Sequence, residues 1–93
     1  MCAPPRGHSV AVVMAPFVLA HAHEQAECQI AYAAWRGYDS PLRGLDAMAS
    51  CANGDHRIYW TVDADDASEA LRQLPPYLAQ RTHASEVRRV AIR

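Results

Sequence analysis

Residues 45–64, LDAMASCANGDHRIYWTVDA, decide the fold. Asn53-Gly54 lies between two strand-like runs, and this dipeptide suits a tight hairpin turn because both residues tolerate a left-handed backbone. A two-residue turn there sets a register: Ala52 faces Asp55, Cys51 faces His56, Ala49 faces Ile58, Ala47 faces Trp60 and Leu45 faces Val62. Successive side chains of a strand alternate between faces, so this set makes an apolar face to lie under helices. Ser50, Arg57, Met48, Tyr59, Asp46 and Thr61 make the other, mixed face.

On the C-terminal side, DADDASEALRQL reads as a helix. Asp66 followed three residues later by Glu69 has the form of a capping box. Ala67, Ala70, Leu71 and Leu74 give the buried stripe, Pro75-Pro76 ends the helix, and YLAQRT adds a short turn. Residues 85–93 alternate as a last strand through Val87, Val90 and Ile92. Asp63, Asp65 and Asp66 lack the glycine and distal glutamate of a calcium loop, so they read as helix-start acids.

On the N-terminal side, residues 24–36 are helical in pattern. Glu27, Ile30, Ala31, Ala34 and Tyr38 follow helical spacing, and Gly37 stops the helix. YDSPLRG is a loop. Before it, residues 17–22 form the first strand; residues 10–14 are a second β-prone run, an extra edge or extension. A competing reading starts a long helix at Pro16.

The order is strand, helix, strand, strand, helix, strand. That is the α+β, ferredoxin-like βαββαβ plan: a four-stranded antiparallel sheet with two helices on one face. Its bare face calls for a partner, so a homodimer through the open sheet face is expected, with Tyr59, Met48 and Thr61 in the contact.

The 93-residue length fits a single domain, with residues 1–15 as an N-terminal arm or extra strand. Net charge is −1 and there is no basic stripe, so no nucleic-acid partner is expected. No stretch approaches the ~20 apolar residues of a membrane helix. Three cysteines, an odd count, argue against a disulfide framework and for reduced thiols in a cytoplasmic protein. Arg6, the apolar residues 10–20 and Ala20-His21-Ala22 imitate a signal peptide over residues 1–22, but Pro16 interrupts that run and cleavage would delete the first strand.

The segment HRIYWTVDADDASEALRQLPPYLAQRT resembles the second half of muconolactone isomerases. The resemblance is carried by Tyr59 on a strand, Asp63, Ser68-Glu69-Ala70-Leu71 at a helix start, Gln73-Leu74-Pro75 at its end, and Tyr77. It implies the dimeric α+β barrel superfamily, which includes small isomerases, cyclases, cofactor-free monooxygenases and haem-handling proteins. The first half departs from the isomerase pattern. Its H-x-H…C stretch with a later G-x-H is more similar to small ferredoxin-like proteins, some of which bind transition metals.

On this plan, chemistry-bearing residues gather at one end of the sheet. His21 and His23, two apart, share a strand face. Cys28 lies one turn into the helix, Cys51 and His56 flank the hairpin, and Arg81, Thr82 and His83 come near the same rim. The expected metal ligands are His21, His23, Cys28 and His56, with Cys51 ranked below them. Imidazole and thiolate suit zinc, copper or nickel rather than calcium or magnesium. His8 and Cys2 lie on the arm. The plain alternative is that the histidines decorate the rim and the cysteines act as small hydrophobes.

A second functional reading is a cofactor-free isomerase or cyclase acting on a small molecule. His23 or His56 moves a proton, Tyr59 and Arg57 assist, and Arg57 or Arg81 pairs a substrate carboxylate. In the hairpin register Tyr59 and Arg57 point away from His56. Tyr32, Trp35, Trp60 and Tyr77 either line a pocket between sheet and helices or fill the core. No serine nucleophile context or phosphate-cradling glycine loop is present.

Overall fold

The computed structural model describes residues 14–93. Residues 1–13 of the expected arm, with Cys2, His8 and most of the early β-prone run, lie outside the described residues, and Ala15 at its end already belongs to the first strand. The chain is α+β. Strand β1 (Ala15–Ala22) leads through a 3-10 turn (Gln25–Glu27) into α1 (Cys28–Ala33). Strand β2 (Met48–Ala49), a second 3-10 turn (Cys51–Asn53) and strand β3 (Arg57–Ala64) follow. The chain continues with α2 (Ala67–Leu71), α3 (Pro76–Ala79) and β4 (Thr82–Glu86). The four strands form one open sheet in the order β2-β3-β1-β4, with every pair antiparallel.

Alternation builds the core. β3 is exposed and buried in strict turn along its length, with Ile58, Trp60, Val62 and Ala64 inward and Arg57, Tyr59, Thr61 and Asp63 outward. Phe17 and Leu19 of β1 join them, and Ala31, Ala70, Leu74 and Leu78 of the helices complete the cluster. The helical segments thus serve the same face of the sheet. Asp66 caps α2 by accepting a hydrogen bond from the Glu69 backbone N–H at 2.9 Å, as the capping pattern predicts.

The hairpin register is as expected, with Met48 opposite Tyr59 and Ala49 opposite Ile58. Its turn differs. The chain rounds residues 50–56 as a wider loop: the Asn53 and Asp55 N–H groups both bond the Ser50 carbonyl, at 2.9 and 3.2 Å, and the Arg57 N–H donates to Ser50 Oγ at 3.1 Å. The expected pairs Leu45–Val62 and Ala47–Trp60 are not in the ladder. Turns closed by Arg43 N–H to Ser40 and Leu45 N–H to Leu42 occupy that segment instead, helped by the left-handed Gly44 (φ +89°).

Two further expectations are corrected. The last strand covers Thr82–Glu86, not residues 85–93. Its ladder with β1 reaches Phe17–Glu86, and the Val87 N–H still donates to the Pro16 carbonyl at 2.9 Å. Proline has no N–H to return a bond, so the pairing stops there. In α1 the phase is rotated: Ala31 is buried, Ala34 and Trp35 pack on the core, and Ile30 is about half exposed. The 3-10 turn ahead of α1 winds more tightly than an α-helix and resets the phase.

Candidate metal centre

At the end of the covered face, three chain segments converge. The β1–β3 ladder runs one step beyond β1, because the His23 N–H donates to the His56 carbonyl at 3.2 Å. This sets His23 and His56 opposite each other across neighbouring strands. After His23, Glu24 and Glu27 form a reciprocal capping box around the 3-10 turn. The Glu27 carboxylate also accepts from the Tyr77 hydroxyl at 2.9 Å and pairs with Arg81 at 3.4 Å, while the Arg81 guanidinium lies 4.3 Å above the Tyr77 ring. These contacts tie the turn to α3 and so place Cys28, the residue that follows it. Bonding to the Glu24 backbone, then Tyr77 and Arg81, holds the Glu27 carboxyl below its ordinary range.

The hairpin loop supplies the other pair. Cys51 opens its 3-10 turn and His56 closes the loop. Two left-handed residues bend it back, Gly54 (φ +87°) and His56 itself (φ +54°). For a residue with a Cβ this conformation is uncommon and persists only where the surroundings hold it.

Cys28 Sγ lies 3.3 Å from His23 Nε2 and 3.1 Å from His56 Nδ1. Cys51 Sγ lies 3.6 Å from the same His23 Nε2. One ligand atom from each of His23, Cys28, Cys51 and His56 falls within 4.8 Å of the other three. Tetrahedral zinc at about 2.3 Å from sulfur and 2.0–2.1 Å from nitrogen has edges of roughly 3.3–3.8 Å. The two-nitrogen, two-sulfur set suits a transition metal in donor type, and its three closest donor–donor distances, 3.1–3.6 Å, lie near those edges.

Groups behind the four are also committed. The Tyr32 hydroxyl donates to Cys51 Sγ at 3.6 Å. His21, only 1% exposed, brings Nε2 to 3.1 Å from His23 Nδ1 and Nδ1 to 3.2 Å from Thr82 Oγ1. The Thr82 hydroxyl donates to the Leu78 carbonyl at 2.6 Å. Burial, then the neighbouring His23, lowers the His21 pKa. Burial, then the Cys51 sulfur, raises the Cys28 thiol; the bond to Cys51, then burial, raises Tyr32.

Of the ligands expected from sequence, His23, Cys28 and His56 come together. His21 stands behind His23 rather than beside it, and Cys51, ranked below the others, takes the fourth place. Residues of the acid–base reading do not all converge: Arg57 and Tyr59 project from the uncovered face of β3, away from His23 and His56. Trp35 and Trp60 pack 6.0 Å apart by ring centroids, and Tyr32 and Trp35 line a cleft with Ile58 and Leu42 beside β2. His83 is exposed on β4 opposite Ala20. The signal that finds Cys51 is a mirror pattern, His23-x4-Cys28 and Cys51-x4-His56. No family model matches the chain, and the searches of curated proteins and of solved structures give no match.

Proposed function

We propose that this protein is a small transition-metal-binding protein, with zinc the best-fitting ion and copper or nickel as competitors. His23, Cys28, Cys51 and His56 are the ligands. The observation that carries this is the convergence of four nitrogen and sulfur atoms, from the end of β1, the start of α1 and the hairpin loop, within 4.8 Å. Four protein ligands fill a tetrahedral shell and leave no open position for a substrate, the arrangement of structural or storage sites. Bound metal neutralises charge on the thiolates and ties α1 to the hairpin. Cysteine binds a metal as the thiolate, so uptake is linked to release of thiol protons.

The strand order and the antiparallel pairings support the ferredoxin-like βαββαβ plan, and the resemblance to the dimeric α+β barrel superfamily extends it. In that reading a second copy covers the outward face that carries Met48, Tyr59 and Thr61. Among the described residues no helix is long and apolar enough to cross a membrane.

Elemental analysis of untagged protein, with zinc, copper and nickel titrations, tests the metal reading. About one equivalent is expected, lost in Cys28→Ser and in His23→Ala. Absence of binding at micromolar metal would sink it.

A further inference from the structure

We infer that His21 is a positioning residue: together with Thr82 it fixes His23 in the tautomer whose Nε2 lone pair faces Cys28 and Cys51. This rests on the metal reading above and assigns a role to the buried histidine which that reading leaves out.

The assignment follows from which groups can donate. A carbonyl oxygen only accepts, so the Thr82 hydroxyl spends its one hydrogen on Leu78 at 2.6 Å. Thr82 Oγ1 can then only accept, and the atom facing it at 3.2 Å, His21 Nδ1, must carry a hydrogen. A neutral imidazole carries one N–H, so His21 Nε2 is an acceptor. It faces His23 Nδ1 at 3.1 Å, which therefore carries the hydrogen of that ring. His23 Nε2 is left with its lone pair directed at the two sulfurs, at 3.3 and 3.6 Å.

Each step is held by burial. His21 is 1% exposed and lies 6.4 Å from the Trp60 ring by centroids, so water does not offer the ring a substitute partner. The opposite tautomer of His21 would set a lone pair against the Thr82 oxygen and turn its Nε2–H on His23 Nδ1, which would then have to accept and leave the N–H of that ring facing the sulfurs. The relay runs from α3 through β4 and β1 to the cluster, orienting a ligand histidine through its second nitrogen. The same relay explains why His21 is not itself a ligand: both of its nitrogens are engaged before any ion arrives.

The test begins on metal-free protein. Two-bond proton–nitrogen correlation spectra should show His21 and His23 as neutral Nδ1–H tautomers. His23 found as Nε2–H overturns the inference. Variants then separate positioning from packing. His21→Leu removes the acceptor, and zinc or cobalt affinity should fall about 10- to 100-fold. His21→Gln keeps an amide oxygen able to accept from His23 Nδ1, and should recover most of that loss. Thr82→Val should weaken binding by a similar factor and Thr82→Ser restore it, with the cobalt absorption bands shifting in parallel. Equal losses in His21→Leu and His21→Gln, or unchanged affinity in Thr82→Val, overturn the positioning role. A wild-type chain that takes up no metal overturns the metal reading itself; that failure is told apart because the tautomers are read without metal.

Discussion

The covered face of β1 is built from one alternation with two different ends. Phe17 and Leu19 point into hydrocarbon; two and four residues further on, His21 and His23 point the same way into imidazoles and thiols. All four are buried, at 4%, 0%, 1% and 9% exposure, so burial alone does not distinguish them. What differs is the requirement on their neighbours. The apolar end needs only volume and shape. The polar end needs a partner for every nitrogen, and each buried side-chain nitrogen and oxygen among the described residues has one. One end therefore stabilises the fold unaided, while the other gathers four side chains that could hold a metal.

The largest expected effect separates these ends by stability. Leu19 is fully buried among the core residues. Leu19→Ala should lower the unfolding free energy of metal-free protein by about 2–5 kcal/mol, measured by denaturant titration. A loss below about 1 kcal/mol would mean that the apolar end is not the one that holds the fold.

Next in size is the metal increment. An ion at 100 times its dissociation constant should stabilise the native state by about 2.7 kcal/mol and raise Tm by roughly 10–20 °C. His23→Ala should erase that increment, whereas Leu19→Ala should keep it at a lower starting Tm. Loss of the increment in Leu19→Ala, under conditions where that variant is folded, would show that the two ends are not separable. A smaller effect tests the frame: Asp66→Ala, which removes the cap of α2, should cost about 1 kcal/mol and leave zinc affinity unchanged.

The same contrast explains what could be read in advance. Alternation over β3 and the Asn53-Gly54 signal placed Ile58, Trp60 and Val62 inward and set the Met48–Tyr59 register correctly, because a period of two follows directly from the pleat; Leu45, Ala47 and Ala49 on the other arm, expected inward with them, are exposed. Cys51 was harder. A two-residue turn sets it on a strand beside His56, whereas Ser50 organises a wider loop that carries Cys51 round to His23. His21 shared a face with His23 and so looked like a ligand; its partner, Thr82, lies 61 residues away, and only the closed β1–β4 ladder brings the two together. Residues 87–93 kept a strand-like alternation, but the missing N–H of Pro16 ends the ladder they would have joined. α1 misled because its alanines give little contrast between faces, and the 3-10 turn then reset its phase.

The uncovered face of the sheet offers the smallest effect within one chain and the sharpest between chains. Met48 is 77% exposed and Tyr59, opposite it, 37%. A side chain already in water loses little when trimmed, so Met48→Ala should change monomer stability by less than about 0.5 kcal/mol. In a homodimer closed through this face the same position lies near the contact, and Met48→Asp would bury an unpaired carboxylate there. Sedimentation analysis should then show wild type as a dimer and Met48→Asp shifted to monomer, with one metal equivalent per chain retained in both. A wild-type chain that sediments as a monomer at high micromolar concentration would remove the sheet-face dimer and leave the metal centre untouched, because its ligands all come from one chain and lie at the rim rather than on that face.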